Sequence, residues 1–190
     1  MKVYLKKISF QEFAKDFYKN FKKMFITNEQ RDLDSIEQTY KSGHEDIYKI
    51  RLEDGTVVGF FMLEKLPDCP YYLDFYTIYK KYQDKGLGSA VLKAIINEIC
   101  GEDGICAEIE KVDENNEQSL KRWEFYKRLG FRLVNSELYI YYVFYNPIIC
   151  SAKKYTTREI VRNLFKYYNL NCEEDAISKY CKIKYEGENE

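Results

Sequence analysis

The stretch QDKGLGS, residues 83–89, places Gly86 and Gly88 one residue apart at the mouth of an apolar-periodic run. The first N–H groups of a helix have no intrahelical acceptor, and the helix dipole favours negative charge there. Glycine removes the Cβ that would keep a ligand off the main chain. The stretch therefore predicts an anion site made of backbone amides, with Lys85 as a nearby point charge. A Walker A loop needs GxxxxGK[ST] and is absent. A dinucleotide fingerprint needs GxGxxG, whereas Val91 holds the third position here. Glu108 does lie about 20 residues on, at the spacing of a ribose contact. The preceding strand, however, ends near Tyr79, several residues before the first glycine. Glycines that open a helix for packing alone are the remaining alternative.

Other residues could move protons or hold a cation. Asp74 is the only acid on YYLDFYTIY, residues 71–79. A solvated or salt-bridged carboxylate is its structural alternative. Glu108 and Glu110 share one face of ICAEIEK, residues 105–111, through the two-residue period of a strand. Tyr126 lies on the same helical stripe as Leu120, Trp123 and Leu129, where a core ring is the alternative. Cysteines stand at 69, 100, 106, 150, 172 and 181, with no CxxC pair, and His44 is the only histidine. That set argues against zinc and for reduced thiols in a cytoplasmic protein. His44 reads as a surface or capping residue.

The elements that must position these groups follow from composition and periodicity. The 190 residues suffice for one domain with a core, 45% of them are hydrophobic, and the formal net charge is −1. No basic field argues for nucleic acid. No apolar run approaches the ~20 residues that span a bilayer, and the N-terminal segment lacks an apolar signal core. Residues 2–8 read as a strand. Ser9 and Glu12 form a capping box for a helix carrying Phe10, Phe13, Ala14, Phe17, Phe21 and Met24 on one stripe. Thr27 and Gln30 predict a second cap, with Leu33, Ile36 and Tyr40 continuing that helix to Gly43. Strands follow over 46–53 and 57–66 around an Asp54-Gly55 turn. Strand 71–79 leads into a helix with Leu87, Val91, Leu92, Ile95, Ile96 and Ile99 on one stripe. Strand 105–111, a helix stopped by Gly130, and strands over FRLV and YIYYVFY (139–145) complete a βααβββαβαββ order. Strands 71–79 and 105–111 should be parallel through a helical crossover, so the sheet is mixed. Two tail helices are expected, one capped by Thr156 and Glu159 and the next opening near Asn171 and Glu174. The expected division is a domain over 1–149 and a helical extension over 150–190. That extension would pack on the domain or on a second copy, giving a homodimer.

Gln83, Gly86 and Gly88 in the pattern QxxGxG resemble the acyl-CoA pyrophosphate loop of the GCN5-related N-acetyltransferases (GNAT). LDFYTIYKKYQDKGLGS resembles the family's strand-then-loop segment. RWEFYKRLGF, residues 122–131, resembles its second signature, FYxxxGF after a basic helix. The two blocks cover roughly residues 71–134, and the N-terminal element order fits as well. Two positions depart from the pattern: Asp84 is acidic beside the pyrophosphate loop, and Ser119 stands where many members carry Asn.

The resemblance implies an α/β, GNAT-like fold with a mixed central sheet flanked by helices. It implies acetyl transfer from acetyl-CoA to a primary amine, with a small-molecule or peptide acceptor. The cofactor site would comprise Gln83, Asp84, Lys85, Gly86, Leu87, Gly88 and Ser89. The pantetheine arm would bond strand backbone at Tyr76, Thr77 and Ile78 like an added strand. A strand amide there could polarise the thioester carbonyl. An ammonium acceptor has a pKa near ~10.4 and must lose a proton before attack. Asp74 is the candidate base, and Glu108 and Glu110 could hold a cationic acceptor or act through water. Tyr126 matches the tyrosine that serves many members as general acid. Phe25, Tyr40 and rings of 139–145 could wall the acceptor pocket. Direct attack in a ternary complex is expected, because no cysteine has a histidine partner in local sequence. A non-catalytic acyl-CoA sensor or interaction module is the alternative.

Overall fold

The computed structural model describes residues 2–25, 27–140, 142–172, 177, 179 and 181–185. The chain divides into two compact units, Met1–Pro67 with Leu73–Cys100, and Asp68–Tyr72 with Gly101–Glu190. The hydrogen-bonded strand order is β1-β2-β3-β4-β5-β8-β7-β9, with β6 on β8. The β4–β5 ladder is parallel and the other described ladders are antiparallel, so the sheet is mixed as the sequence predicts.

In the first unit β1 (Tyr4–Ile8) pairs with β2 (Glu45–Arg51), and β2 with β3 (Val57–Glu64). The expected turn forms: the Thr56 amide donates to Asp54 Oδ1 at 2.9 Å, and Gly55 takes φ +85°. All of β3 after Val57 is buried. Gly59 on β3 faces β4 (Tyr71–Ile78) so closely that a Cβ there would lie 2.1 Å from the Thr77 carbonyl oxygen. Only glycine fits that crossing.

Helix α1, residues 10–24, begins at a Ser9 cap and widens to a π turn over Phe13–Phe17. Phe13 and Phe17 both meet Phe60 edge-on, at 5.9 and 5.8 Å between ring centres. These rings, with Phe10, Phe21, Ile36, Ile47, Met62 and Phe75, form the core of this unit. The second cap differs from expectation. Thr27–Glu29 make a single 3-10 turn, and α2 (Leu33–Lys41) begins after Asp32, whose Oδ1 accepts from the Ser35 amide at 2.7 Å. The Gln30 side-chain amide closes the end of α1 instead, donating to the Lys22 and Phe25 carbonyls. Two cap sequences compete over six residues, and the aspartate, which outranks threonine at this position, takes the cap. Helix α3, residues 87–100, buries Leu87, Val91, Leu92 and Ile95 as expected, while its last turn, Ile95–Cys100, is π-type.

In the second unit β5 (Ile105–Glu110) pairs with Tyr71 and Tyr72 in parallel and with β8 (Val143–Cys150) in antiparallel register. Helix α4 (Glu117–Lys127) precedes β6 (Arg132–Leu133), which replaces the longer FRLV strand. The expected single strand over 139–145 is two strands. β7 (Ser136–Ile140) and β8 form a hairpin in which Tyr142 takes φ +72°. Helix α5 (Thr157–Asn171) opens with the predicted capping box. The Tyr167 hydroxyl donates to the Pro70 carbonyl at 2.6 Å, and its ring stacks on Tyr72. Asn171 is the last residue of α5; the expected opening of a second tail helix at Glu174 lies outside the described residues, and beyond it Ile177 and Lys179 are helical. The chain then adds β9 (Cys181–Tyr185), antiparallel to β7, so the extension supplies a strand as well as a helix.

Candidate acyl-CoA site

The glycine stretch enters α3 through left-handed backbone. A 3-10 turn at Lys80–Tyr82 carries the chain away from β4, and Gln83 is extended. Asp84 takes φ +60° and Gly86 φ +74°, and Leu87 opens α3. Helices α1, α2, α4 and α5 are each closed at the N-terminus by a side chain, from Ser9, Asp32, Asn116 and Thr156. Gly86 caps α3 with none. The Leu87, Gly88 and Ser89 amides therefore precede the first intrahelical bond, which runs from the Ala90 amide to the Gly86 carbonyl at 3.1 Å. Nothing stands within 4 Å of a Cβ built on Gly86. Left-handed backbone, rather than crowding, demands glycine there. These amides could hold a diphosphate, which needs several donors and no intervening side chain.

Two side chains fasten the cradle to β4. The Gln83 Nε2 donates to the Ile78 carbonyl at 2.7 Å, and the Tyr76 hydroxyl donates to the Gly88 carbonyl at 2.9 Å. Tyr76, Ile78, Gln83 and Gly88 are thus brought together, and Gln83 acts on the loop's shape. Asp84 and Lys85 are exposed, Lys85 donating to the Lys81 carbonyl at 3.2 Å. Thr77 and Ile78 are buried on β4. The parallel ladder between β4 and β5 comprises Tyr71↔Ile105 and Tyr72↔Cys106.

Asp74 is salt-bridged, the structural alternative that the sequence left open. Its Oδ2 accepts from Arg31 Nη1 at 2.8 Å, and the same nitrogen lies 3.0 Å from Glu45 Oε2 and 3.4 Å from Glu64 Oε1. Arg31 Nη2 also donates to Thr39 Oγ1 at 2.8 Å. Burial raises the proton affinity of Asp74 and Arg31 lowers it, and the net effect is upward. Burial likewise pushes Glu45 up to about 7, against the pull of Arg31. Burial opposes the charge on Arg31, but the Asp74, Glu45 and Glu64 carboxylates together raise its proton affinity. Sequence reasoning missed Arg31, Glu45 and Glu64. An acid closing the apolar run VVGFFMLE was the available signal, because an isolated buried carboxylate is costly.

In the second unit Glu108 and Glu110 are half-buried on one face of β5, as predicted. Glu110 pairs with Arg122 of α4 at 3.2 Å. Tyr126 is half-buried on α4, edge-on to Phe125 and Phe131 at 5.1 and 5.2 Å. Burial pushes its hydroxyl up to about 12, with Arg122 opposing. Gly130 ends the helix at φ +89°, and the Phe131 amide returns to the Tyr126 carbonyl at 3.3 Å. Ser119 is buried; its Oγ bonds the Asp113 amide at 3.1 Å, so it shapes the loop before α4. Phe25 and Tyr40 pack against the core of the first unit, Phe25 on Phe21 and Phe75 and Tyr40 on Phe10. All six cysteines are free thiols. Among the described residues no helix is long and apolar enough to cross a membrane.

No curated protein matches the chain in sequence. Among solved structures it is similar to a Bacteroides thetaiotaomicron protein described as a GNAT-family acetyltransferase. The TM-score is 0.71 at 17% identity, over 87% of this chain and 96% of that one. It is also similar to the spermidine/spermine N-acetyltransferase of Vibrio cholerae, with TM-score 0.58 and 14% identity over 78% and 92% of the two chains. A third similar structure is the IAA acetyltransferase of Bacillus cereus, with TM-score 0.54 and 14% identity over 78% and 98%. These likenesses concern the fold. The acetyltransferase (GNAT) family description matches residues 10–131, a span holding both the glycine cradle and the Phe125–Phe131 signature, and the chain belongs to that family.

Proposed function

We propose that this protein transfers an acetyl group from acetyl-CoA to a primary amine by direct attack in a ternary complex. The observation that carries the reading is the bare N-terminus of α3 behind left-handed Gly86. Acetyl-CoA supplies an acyl group activated as a thioester. Amides of residues 86–89 hold its diphosphate, Gln83 and Tyr76 keep the cradle in shape, and backbone of Tyr76–Ile78 aligns the arm. Asp74 takes the proton that the acceptor ammonium must lose. Glu108 and Glu110 attract the acceptor's positive charge. Tyr126 is assigned as the donor to the leaving sulfur. A hydroxyl near 12 is a weaker acid than a thiol near ~8.5, so it serves mainly by hydrogen bonding. Self-association as a homodimer belongs to the same proposal and is read by light scattering.

Calorimetric titration with CoA tests the cradle, and absence of binding would overturn the reading. The Arg31–Asp74 contact favours a second reading, a non-catalytic acyl-CoA sensor, because it engages the candidate base. Thiol release over a panel of polyamines, aminoglycosides, amino acids and peptides separates the two. A sensor binds CoA and releases no thiol with any amine.

A further inference from the structure

We propose that Arg31, Glu45, Glu64 and Asp74 form one proton-sharing unit, in which a proton stored on Glu45 sets how readily Asp74 accepts another. The part concerning Asp74 rests on its proposed role as base. The geometry is compact. One guanidinium nitrogen contacts all three carboxylates, at 2.8 Å to Asp74, 3.0 Å to Glu45 and 3.4 Å to Glu64. The Glu45 and Glu64 side chains are 0% exposed, and those of Asp74 and Arg31 10%. Glu45 and Glu64 are also direct partners across the β2–β3 ladder, the placement in which like charges repel most.

Charge counting then decides the protonation. Glu45 and Asp74 share one guanidinium nitrogen, so two buried carboxylates face a single positive charge. Such charge is relieved by proton uptake. Lys65 follows Glu64 and His44 precedes Glu45, the Lys65 amide donating to the His44 carbonyl at 2.9 Å. Asp46 follows Glu45 on β2 and pairs outward with Lys7; Thr39 and the Ser35 carbonyl of α2 are neutral partners of Arg31. Among the carboxylates, Glu64 and Asp74 accept hydrogen bonds from Arg31. Neither oxygen of Glu45 receives one of good geometry. Glu45 is therefore the proton's place, in keeping with its upward displacement to about 7.

The consequence runs through Arg31. While Glu45 is neutral, the guanidinium field falls mainly on Glu64 and Asp74, and Asp74 is a weaker base than when Glu45 is ionised. When Glu45 ionises, its negative charge opposes that field, and Asp74 binds a proton more tightly. No atom is exchanged with a further reagent: the proton lost by Glu45 goes to solvent, and the proton gained by Asp74 comes from the acceptor ammonium.

The test uses the full chain labelled with 13C at glutamate side-chain carboxyls and titrated by NMR. One resonance should titrate near pH 7, vanish in Glu45→Gln, and move to lower pH in Asp74→Asn, where a negative neighbour is gone. A Glu45 resonance titrating in the ordinary carboxylate range, or one indifferent to Asp74→Asn, would overturn the proposal. Should Glu45→Gln fail to fold, Asp74→Asn alone still decides it. None of these measurements involves acetylation, so they stand apart from the assigned activity. A second arm reads turnover against pH with an accepted amine. The limb near pH 7 should be present in the wild type and absent in Glu45→Gln. A limb unchanged in Glu45→Gln refutes the coupling to Asp74 even where the NMR titration succeeds.

Discussion

Replacing Gly59 by alanine tests whether β3 fixes the strand that is to align the acyl arm. The new Cβ would meet the Thr77 carbonyl oxygen at 2.1 Å and the Ile78 Cα at 3.1 Å. Close carbon–oxygen contacts settle at about 3.3–3.6 Å, so the strands must part by roughly 1.2 Å. Both neighbours are main-chain atoms, and no rotamer change relieves the clash. Overpacking of this kind costs about 1–3 kcal/mol. For a chain of this size that lowers Tm by about 2–12 °C. The displaced atoms belong to Thr77 and Ile78, so CoA affinity should fall as well, by about 10–100-fold, the scale at which an ångström of misplacement matters. Gly43→Ala is the control: Gly43 has φ +79° and nothing within 4 Å of a Cβ. That variant should lose about 1–2 kcal/mol through left-handed strain and keep its CoA affinity. Calorimetric CoA titration and thermal melts on both variants complete the experiment. A Gly59→Ala protein with wild-type CoA affinity would refute the reasoning, as would equal weakening in Gly43→Ala.

Tyr126→Phe should lower kcat by about 10–1,000-fold with CoA affinity nearly unchanged; unaltered turnover removes Tyr126 from the chemistry. Because burial holds that hydroxyl near 12, activity should show no loss from its ionisation below about pH 11. Asp74→Asn should abolish the alkaline rise of turnover, and a wild-type pH profile would move the base elsewhere. Stability itself should depend on pH. Glu45 sits at about 7 against an ordinary 4.5, so the folded state favours its protonated form. That contribution is complete below the unfolded value and is lost as pH rises through about 7. At 1.36 kcal/mol per pH unit it amounts to about 3 kcal/mol, or a fall in Tm of about 6–12 °C. Melts that stay flat from acid to mildly alkaline pH would contradict it.

Much of this chain was legible as one-dimensional pattern. The phenylalanine stripe of α1, the Asp54-Gly55 turn and the capping box of α5 rest on contacts within a few residues. The cradle was equally readable, because left-handed Gly86 and an uncapped helix start are local backbone properties. Other features were hidden for identifiable reasons. The turn inside YIYYVFY lacks glycine, proline and asparagine, so aromatic residues masked a hairpin whose bend falls at Tyr142. The start of α2 was misplaced because Thr27 and Asp32 offer rival caps, and only the folded chain ranks them.

Local sequence therefore determined the helices, most strands, the glycine cradle and the family signatures, all of which depend on neighbours along the chain. Tertiary structure alone decided the company of Asp74. Glu45, Glu64 and Asp74 converge from three strands on one guanidinium nitrogen of Arg31. No spacing in the sequence encodes that meeting, because a carboxylate's proton affinity is set by burial and by charges that only folding brings within a few ångströms.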